Sequence, residues 1–454
     1  MRRRPERSFS AASKVPAEFG GDTRGVGARA PSFSQLVEIE KPIYGGAFLA
    51  RAEGKAVLVP LTLPGEQARV RITQSRRGYD TADPDEIVTA VPQRVAPACP
   101  HFGACGGCNY QHANYESQLA FKEIILRETL ERGGVRAPDE ISVLAGEPWA
   151  YRNRIRLAFD ATGEPGYRAR RSNDLIPIRE CPIAAPWLIE AALAFAQVAR
   201  NFAPSLRATE FALFCNADET ELLTSIFAAS AKNIRFEDLA QALHERIPAL
   251  TGAELAMEGR AGKPPRAVAQ WSAASLTYRA AGFDYRVDQG AFFQVNRWLV
   301  DALVERVTAG QTGKMAWDLF AGVGLFARRL TRSFERVVAV ESAPAATKAL
   351  AANLKGTRGI PVRAETLEFL RRKNPERPDL IVVDPPRAGL GAETCARLGE
   401  MAAAALVYVS CDPATLARDL RALIESGYAV QSITLADLFP QTFHLETVVH
   451  LRRA

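Results

Sequence analysis

Three sets of residues in this chain are of types that do chemistry. In the first, Tyr408-Val-Ser-Cys411-Asp412-Pro413 puts a thiol after an apolar run and before Asp and Pro, the residues that cap and open a helix. A helix N-terminus favours thiolate, the nucleophilic form of cysteine. Phe443-His444-Leu445-Glu446-Thr447 offers Glu446 as a general base, with His444 as its competitor. The second set is a nucleotide site. Gly322 and Gly324 lie in a turn between a strand and a helix, where backbone can approach a ligand, and Glu341 ends the next strand, where an acid accepts from ribose hydroxyls. Asp384 closes the run Leu380-Ile-Val-Val, and Pro385-Pro386 fix the turn after it. The third set is Cys99, Cys105 and Cys108, spaced C-x5-C-x2-C, with Cys181-Pro182 available as a fourth thiolate. The spacing alone fits zinc or an iron-sulfur cluster, and His101 and His112 keep zinc open.

The elements that must position these groups follow from pattern. Short β-rich runs from Ser34 to about Pro92, cut by Gly45-Gly46, Gly54, Pro64-Gly65 and Gly78, predict a five-stranded, OB-like barrel. Arg69, Arg71, Arg76 and Arg77 would line an RNA-facing edge or a solvated strand face. A helix is expected from Tyr115 to Arg132, ending at Gly133-Gly134. From Trp149 to about Gly282 strands and helices mix, and Arg152, Arg154, Arg156 and Arg168 to Arg171 would meet RNA or solvent there. From Met315 onward strands and helices alternate, with strands at 315–318, 336–341, 361–364, 379–384, 405–411, 429–435 and 446–452. Such alternation means a doubly wound parallel sheet, whose final two strands form a hairpin. The expected division is a disordered basic arm (1–33), a barrel (34–92), a mixed α/β central domain with the cysteine cluster (93–285) and a Rossmann-like domain (286–454).

Composition narrows the class. With 454 residues, 47% hydrophobic and 24% charged, the chain has material for several packed cores. Its longest apolar run, Met401 to Val409, is too short to span a membrane, which excludes an integral membrane protein with helical spans. The net charge of +6 is compatible with a polyanion partner. Arg outnumbers Lys 47 to ten, which suits phosphate recognition and equally suits a GC-rich genome. Seven unevenly spaced Cys and no secretory segment point to a reducing cytoplasm. Cys215 and Cys395, on apolar faces, are read as structural.

Asp318-Leu-Phe-Ala-Gly-Val-Gly324 resembles the first motif of class I methyltransferases, which bind S-adenosyl-L-methionine. With Phe292-Phe-Gln-Val-Asn296, Asp384-Pro-Pro-Arg-Ala-Gly389, Ser410-Cys-Asp-Pro413 and Phe439-Pro-Gln-Thr-Phe-His-Leu-Glu446, the sequence resembles the RNA uracil-5-methyltransferase family over residues 34 to 454. The likeness is greatest to the cluster-containing branch that acts on 23S rRNA. It implies an N-terminal barrel of the TRAM type, Cys411 as nucleophile and Glu446 as base. It also implies that Gln294, Phe320, Glu341 and Asp384 contact S-adenosyl-L-methionine, and that Cys99, Cys105, Cys108 and Cys181 hold a [4Fe-4S] cluster. Leu325 departs from the Asn that the family often has after the second loop glycine. No C-x3-C-x2-C is present, so the cluster is not expected to run radical chemistry. Phe292 or Phe293 would stack on an extruded base or pack in the core. The expected protein is a cytoplasmic RNA-modifying enzyme, monomeric, with 23S rRNA or tRNA as partner. The rival readings are an exocyclic-amine methyltransferase, for which Cys411 is dispensable, and a non-catalytic iron-sulfur RNA-binding protein.

Overall fold

Alternation of apolar and polar residues builds the first unit. Val37 and Ile39, Phe48 and Ala50, Val57 and Val59, and Ala68 and Val70 are spaced by two and all buried, so each strand turns one face to a common interior. The computed structural model describes residues 34–454 apart from 161, 203–204, 233, 260–264 and 373–375. The basic arm expected over 1–33 lies outside the described residues. The strands β1 (Ser34–Ile43), β2 (Ala47–Ala52), β3 (Lys55–Pro60), β4 (Gln67–Ser75) and β5 (Tyr79–Thr89) close into a barrel in the order β1-β2-β3-β5-β4. Tyr110, Ala113 and Phe121, from the segment that follows, complete its core.

Helix α1 (Tyr115–Arg132) starts at Asn114, whose side chain accepts from the Ser117 N–H at 2.9 Å. It ends at Gly133, where a Cβ would come within 2.6 Å of the Ala417 Cβ. A short strand β6 (Ser142–Leu144) comes next. The central layer is a seven-stranded sheet made of β7 (Arg154–Phe159), β8 (Pro165–Arg168), β9 (Leu175–Pro177), β10 (Leu206–Cys215), β11 (Leu222–Ala231), β12 (Leu250–Met257) and β13 (Arg266–Ser272). Its order is β13-β12-β11-β10-β7-β8-β9, and α2 (Pro186–Asn201) and α3 (Phe236–Arg246) share its apolar core. A hairpin, β14 (Ser275–Ala280) and β15 (Phe283–Asp288), leads out of it.

The last layer contains α4 (Val300–Thr308), β16 (Gly313–Leu319), α5 (Leu325–Leu330), β17 (Phe334–Glu341), α6 (Pro344–Leu354), β18 (Gly359–Arg363), α7 (Thr366–Arg371), β19 (Leu380–Val383), α8 (Gly391–Met401), β20 (Ala405–Ser410), α9 (Pro413–Glu425), β21 (Tyr428–Ala436) and β22 (Glu446–Arg453). The sheet order is β18-β17-β16-β19-β20-β22-β21-β6. The first five strands are parallel; β22 runs antiparallel to both of its neighbours. Helices cover both faces, which explains why Leu380-Ile-Val-Val383 is a continuous apolar run: Leu380 and Val382 join one core, Ile381 and Val383 the other. The strand order reverses direction between β16 and β19, where the crevice of such sheets opens.

Packing does not follow the boundary drawn at 285. Ile125, Leu126 and Leu130 of α1 are buried with Trp317, Leu416 and Leu420, and β6 adds to the edge of the last sheet beside β21. The hairpin residues Leu276, Tyr278 and Tyr285 enter that sheet's other core. Periodicity shows which face of an element is apolar and leaves open which neighbour covers it. No helix of the described residues is long and apolar enough to cross a membrane.

In the central sheet Gly252 has no space for a side chain, since a Cβ would lie 1.9 Å from the Ala273 carbonyl oxygen. Gly252→Ala is expected to destabilise the fold by about 1–3 kcal/mol, read as a lower melting temperature. A variant that melts like the parent would show that β12 and β13 can separate freely.

Candidate active site and cysteine cavity

The strand register brings the candidate groups to one edge. Leu319 pairs with Val340 and with Val383, and Val383 pairs with Tyr408, so Phe320, Glu341 and Asp384 leave the sheet together at its carboxyl ends, with Cys411 just beyond them. Ser410 pairs with Thr447 across the antiparallel seam, and the Thr447 hydroxyl donates to the Ser410 carbonyl at 3.2 Å. Cys411 and Glu446 are the next residues outward on each strand. Sequence separations of 21 to 126 residues thereby collapse into one cleft.

The loop after β16 is shaped by three left-handed residues, Phe320, Gly322 and Gly324. Such a backbone costs little for glycine and is strained for Phe320. At Gly322 open space lies where a Cβ would sit, whereas one at Gly324 would be 2.7 Å from Leu350 Cδ1. Glu341 Oε2 accepts from the Gly322 N–H at 2.9 Å, and Oε1 accepts from the N–H groups of Ser342 and Ala343, both at 2.7 Å. Glu341 therefore orders the loop and the turn that leads into α6, while its remaining lone pairs are free for a diol. Asp318, outside the set singled out from sequence, belongs to the same site. One oxygen accepts from the Ala327 N–H at 2.8 Å; the other, Oδ1, is buried with no partner among the described residues. Its signal was its place as the first residue of the Gly-rich motif. Gln294 is buried, and its backbone carbonyl is held by Asn153 Nδ2 at 2.9 Å. Phe293 lies in the core against Tyr278, with ring centroids 4.4 Å apart, whereas Phe292 is 58% exposed and free to meet a ligand.

Charge in the cleft is concentrated and poorly solvated. Burial pushes Asp318 up to about 8, helped by Asp384 and Glu341, and pushes Asp384 up to about 7. Glu446 is raised well above the carboxylate range by burial and by Asp384, with Arg387 opposing. Cys411 stands before Asp412, which caps α9 by accepting from the N–H groups of Ala414 and Thr415 at 3.0 and 2.9 Å. Its thiol is nonetheless pushed up to about 12, by burial first and then by Glu446 and Asp384. The thiolate expected from the helix end is opposed by the acids around it, so the resting form is the thiol. Burial and nearby cations push His444 down to about 3, and its Nδ1 lies 3.0 Å from Arg387 Nη2. A neutral ring already engaged by a guanidinium is the weaker base of the two candidates.

The four candidate cluster thiols also converge. Cys99, Cys105, Cys108 and Cys181 line one cavity of about 670 Å³, with Arg152 and Tyr167 in its wall. The Cys105 loop is laced to the strand segment before Cys181: Gly106 N–H donates to the Arg168 carbonyl at 3.0 Å and Arg170 N–H to the Ala104 carbonyl at 2.8 Å. Gly107 N–H donates to Cys105 Sγ at 3.4 Å, and a Cβ on Gly106 would sit 3.2 Å from the Arg168 oxygen. Burial raises Cys99, Cys105 and Cys108, and Cys181 adds to each. Among the described residues no group of three or more His, Cys, Asp and Glu is arranged to hold a metal ion. Of the two histidines, His101 lines the cavity beside the thiols, whereas His112 does not and has its Nε2 3.0 Å from the Thr62 carbonyl. Cys215 and Cys395 are fully buried, as expected of structural thiols. Several of the basic residues read as facing RNA or solvent carry ion pairs at the surface: Arg69 with Glu86, Arg71 with Asp85, Arg156 and Arg168 with Glu210, and Arg170 and Arg171 with Asp83.

A Gly-rich turn with an acid on the next strand, beneath a thiol and carboxylates, defines a nucleoside-binding methyltransferase joined to a β-barrel. Comparison with known proteins agrees. Residues 365–454 match the tRNA (uracil-5-)-methyltransferase family model, and residues 34–84 match the TRAM domain. The chain is 34% identical to an uncharacterized RNA methyltransferase of Streptomyces avermitilis over 92% of this chain and 98% of that one. It is also 34% identical to the 23S rRNA (uracil(1939)-C(5))-methyltransferase RlmD of Chromohalobacter salexigens, covering 100% of this chain and 95% of that one. The fold matches the Pyrococcus abyssi tRNA (uracil-54, C5)-methyltransferase, solved with S-adenosyl-L-homocysteine, with a TM-score of 0.74, 24% identity, and 91% and 99% of the two chains covered. The chain belongs to the RNA uracil-5-methyltransferase family, whose members methylate carbon 5 of uracil in RNA with S-adenosyl-L-methionine.

Because Asp318 and Asp384 are held partly protonated near neutrality, binding of a cationic sulfonium favours their charged forms and releases protons. Affinity for S-adenosyl-L-methionine is therefore expected to rise from pH 6 to 8. Calorimetry in two buffers of different ionisation enthalpy measures this; no proton release at pH 7 would show that both acids are already ionised.

Proposed function

We propose that this protein methylates carbon 5 of a uridine in 23S rRNA, through a covalent adduct between Cys411 and carbon 6. The observation that carries the reading is the seam at Ser410 and Thr447, which sets a thiol and a buried carboxylate side by side at the mouth of the cleft. Carbon 5 of uracil is a poor nucleophile, and thiolate addition at carbon 6 makes it enolate-like. When bound, S-adenosyl-L-methionine supplies an electrophilic methyl group. The residues of the chain do the rest. A carboxylate beside Cys411 accepts the thiol proton as sulfur attacks. After methylation Glu446 removes the proton from carbon 5, and elimination returns the electron pair to Cys411 and restores the ring. Asp384 and Gln294 hold cofactor and base, while Glu341, Phe320, Gly322 and Gly324 form the nucleoside pocket. Arg387 lies close enough to counter the negative charge.

The division of labour follows. The barrel (34–92) and the central region (93–285) grip RNA, and the sheet after residue 286 carries the chemistry. Target extrusion is required, because carbon 6 is attacked from the ring face. The full-length likeness to 23S rRNA enzymes favours that substrate over tRNA. Cys99, Cys105, Cys108 and Cys181 are assigned to a [4Fe-4S] cluster on the sequence resemblance, supported by the one cavity that all four thiols line. Its role is to order the loop around Gly106, as methyl transfer needs no electron. Anaerobically purified protein is expected to contain iron and acid-labile sulfide in equal amounts; zinc in their place would overturn the assignment.

The test of the reaction uses unmodified 23S rRNA and tRNA tritiated at carbon 5 of uridine. Tritium release matched by methyl incorporation is expected with the rRNA. Cys411→Ala should abolish both, and Glu446→Gln should accumulate a denaturation-resistant protein–RNA adduct. Methylation without release would move the reaction to another atom, as would turnover by Cys411→Ala.

A further inference from the structure

The loop between β21 and β22 delivers Glu446, and most of its fixing comes from segments that precede α4 in the chain. The Leu438 carbonyl accepts from Asn296 Nδ2 at 3.1 Å, the Phe439 carbonyl from Lys122 Nζ at 3.0 Å and the Pro440 carbonyl from the Tyr151 hydroxyl at 3.1 Å. The Gln441 carbonyl accepts from the N–H groups of Asn109 and Tyr110 at 2.9 and 3.0 Å. Asp437 meets Lys122 at 2.5 Å, with both side chains at 0% exposure, and accepts from the Tyr115 hydroxyl at 2.9 Å. Gln118 exchanges two bonds with Gln441, accepting from its N–H at 2.9 Å and donating to its Oε1 at 3.0 Å. Gln441 itself has φ of +68°, a left-handed backbone that a non-glycine residue keeps only where its surroundings impose it. A buried ion pair is a poor source of stability, and its best-attested use is to fix one arrangement among several. At its other end α1 packs against α9, where Gly133 meets Ala417, and α9 begins two residues after Cys411.

We propose that α1, through Gln118 and Lys122, together with Asn109 and Tyr110, is a brace that positions Glu446 for the proton-abstraction step. These side chains are positioning residues: they act on the loop and touch neither cofactor nor base. The brace joins the segment directly after Cys108 to the loop five residues before Glu446, so the order of the cysteine loop reaches the base through Asn109 and Tyr110. The inference rests on the roles proposed for Cys411 and Glu446. Loss of the brace leaves sulfur attack and methyl transfer in place and slows release.

The test compares full-length wild type, Gln118→Met, Lys122→Met and Glu446→Gln, each first shown to melt cooperatively. For Gln118→Met, kcat is expected to fall roughly 10- to 100-fold, with KM falling alongside it and kcat/KM unchanged, because attack and methyl transfer precede the slowed step. The covalent protein–RNA adduct should build up as in Glu446→Gln, and amide exchange should rise across 437–443. A merely structural role would lower attack and release together. A folded Gln118→Met with normal turnover, or with no adduct, overturns the brace; if Lys122→Met fails to fold, Gln118→Met decides. Absence of an adduct in Glu446→Gln would instead overturn the assignment of the base.

Discussion

The catalytic cleft depends on one antiparallel strand in a parallel sheet. Because β22 runs backward between β20 and β21, its first residue lies at the edge where the parallel strands end. A parallel β22 would carry Glu446 to the opposite edge, a whole strand length from Cys411. The reversal also forces a connection, residues 437–445, over the mouth of the cleft, and that connection must be held from outside.

The electrostatics of the cleft follow from the same convergence. Four parallel strands end in Phe320, Glu341, Asp384 and Cys411, and burial leaves little water to screen the acids. Asp318, Asp384 and Glu446 therefore hold protons more tightly than free carboxylates, and the thiol is held as a thiol. Such a cleft is primed for a cationic ligand, whose arrival favours ionisation and supplies the carboxylate that the chemistry requires. His444, the rival base, is weakened by the same logic with the sign reversed, since burial and neighbouring cations disfavour its protonated form.

The two candidate centres are joined by α1 and the residues leading into it. Asn109 and Tyr110 follow Cys108 and bond to the Gln441 carbonyl; Gln118 and Lys122 bond to the same loop; Gly133 packs on the helix that follows Cys411. The region between barrel and sheet is thus part of the active-site framework, although the chain places it more than 300 residues from Glu446.

Much of this protein was legible in its sequence. Strand periods, the Gly-rich turn and the acid after the second strand are local facts, and they determined the barrel, the doubly wound sheet and the residues at its carboxyl edge. Helix α1 ended where Gly133 said it would, because capping depends only on neighbours in the chain. Three things were decided by tertiary structure alone. The assignment of α1, β6 and the β14–β15 hairpin to the last sheet depends on which apolar faces meet, and an apolar stripe carries no address. The protonation of Cys411, Asp318 and Glu446 depends on burial and on acids brought from distant strands, so a thiol that its own helix would ionise stays neutral. The fixing of the loop at 437–441 depends on residues 109–110 and 115–122, Tyr151 and Asn296, all far from it in the chain, and pairwise contacts of that range leave no periodic trace.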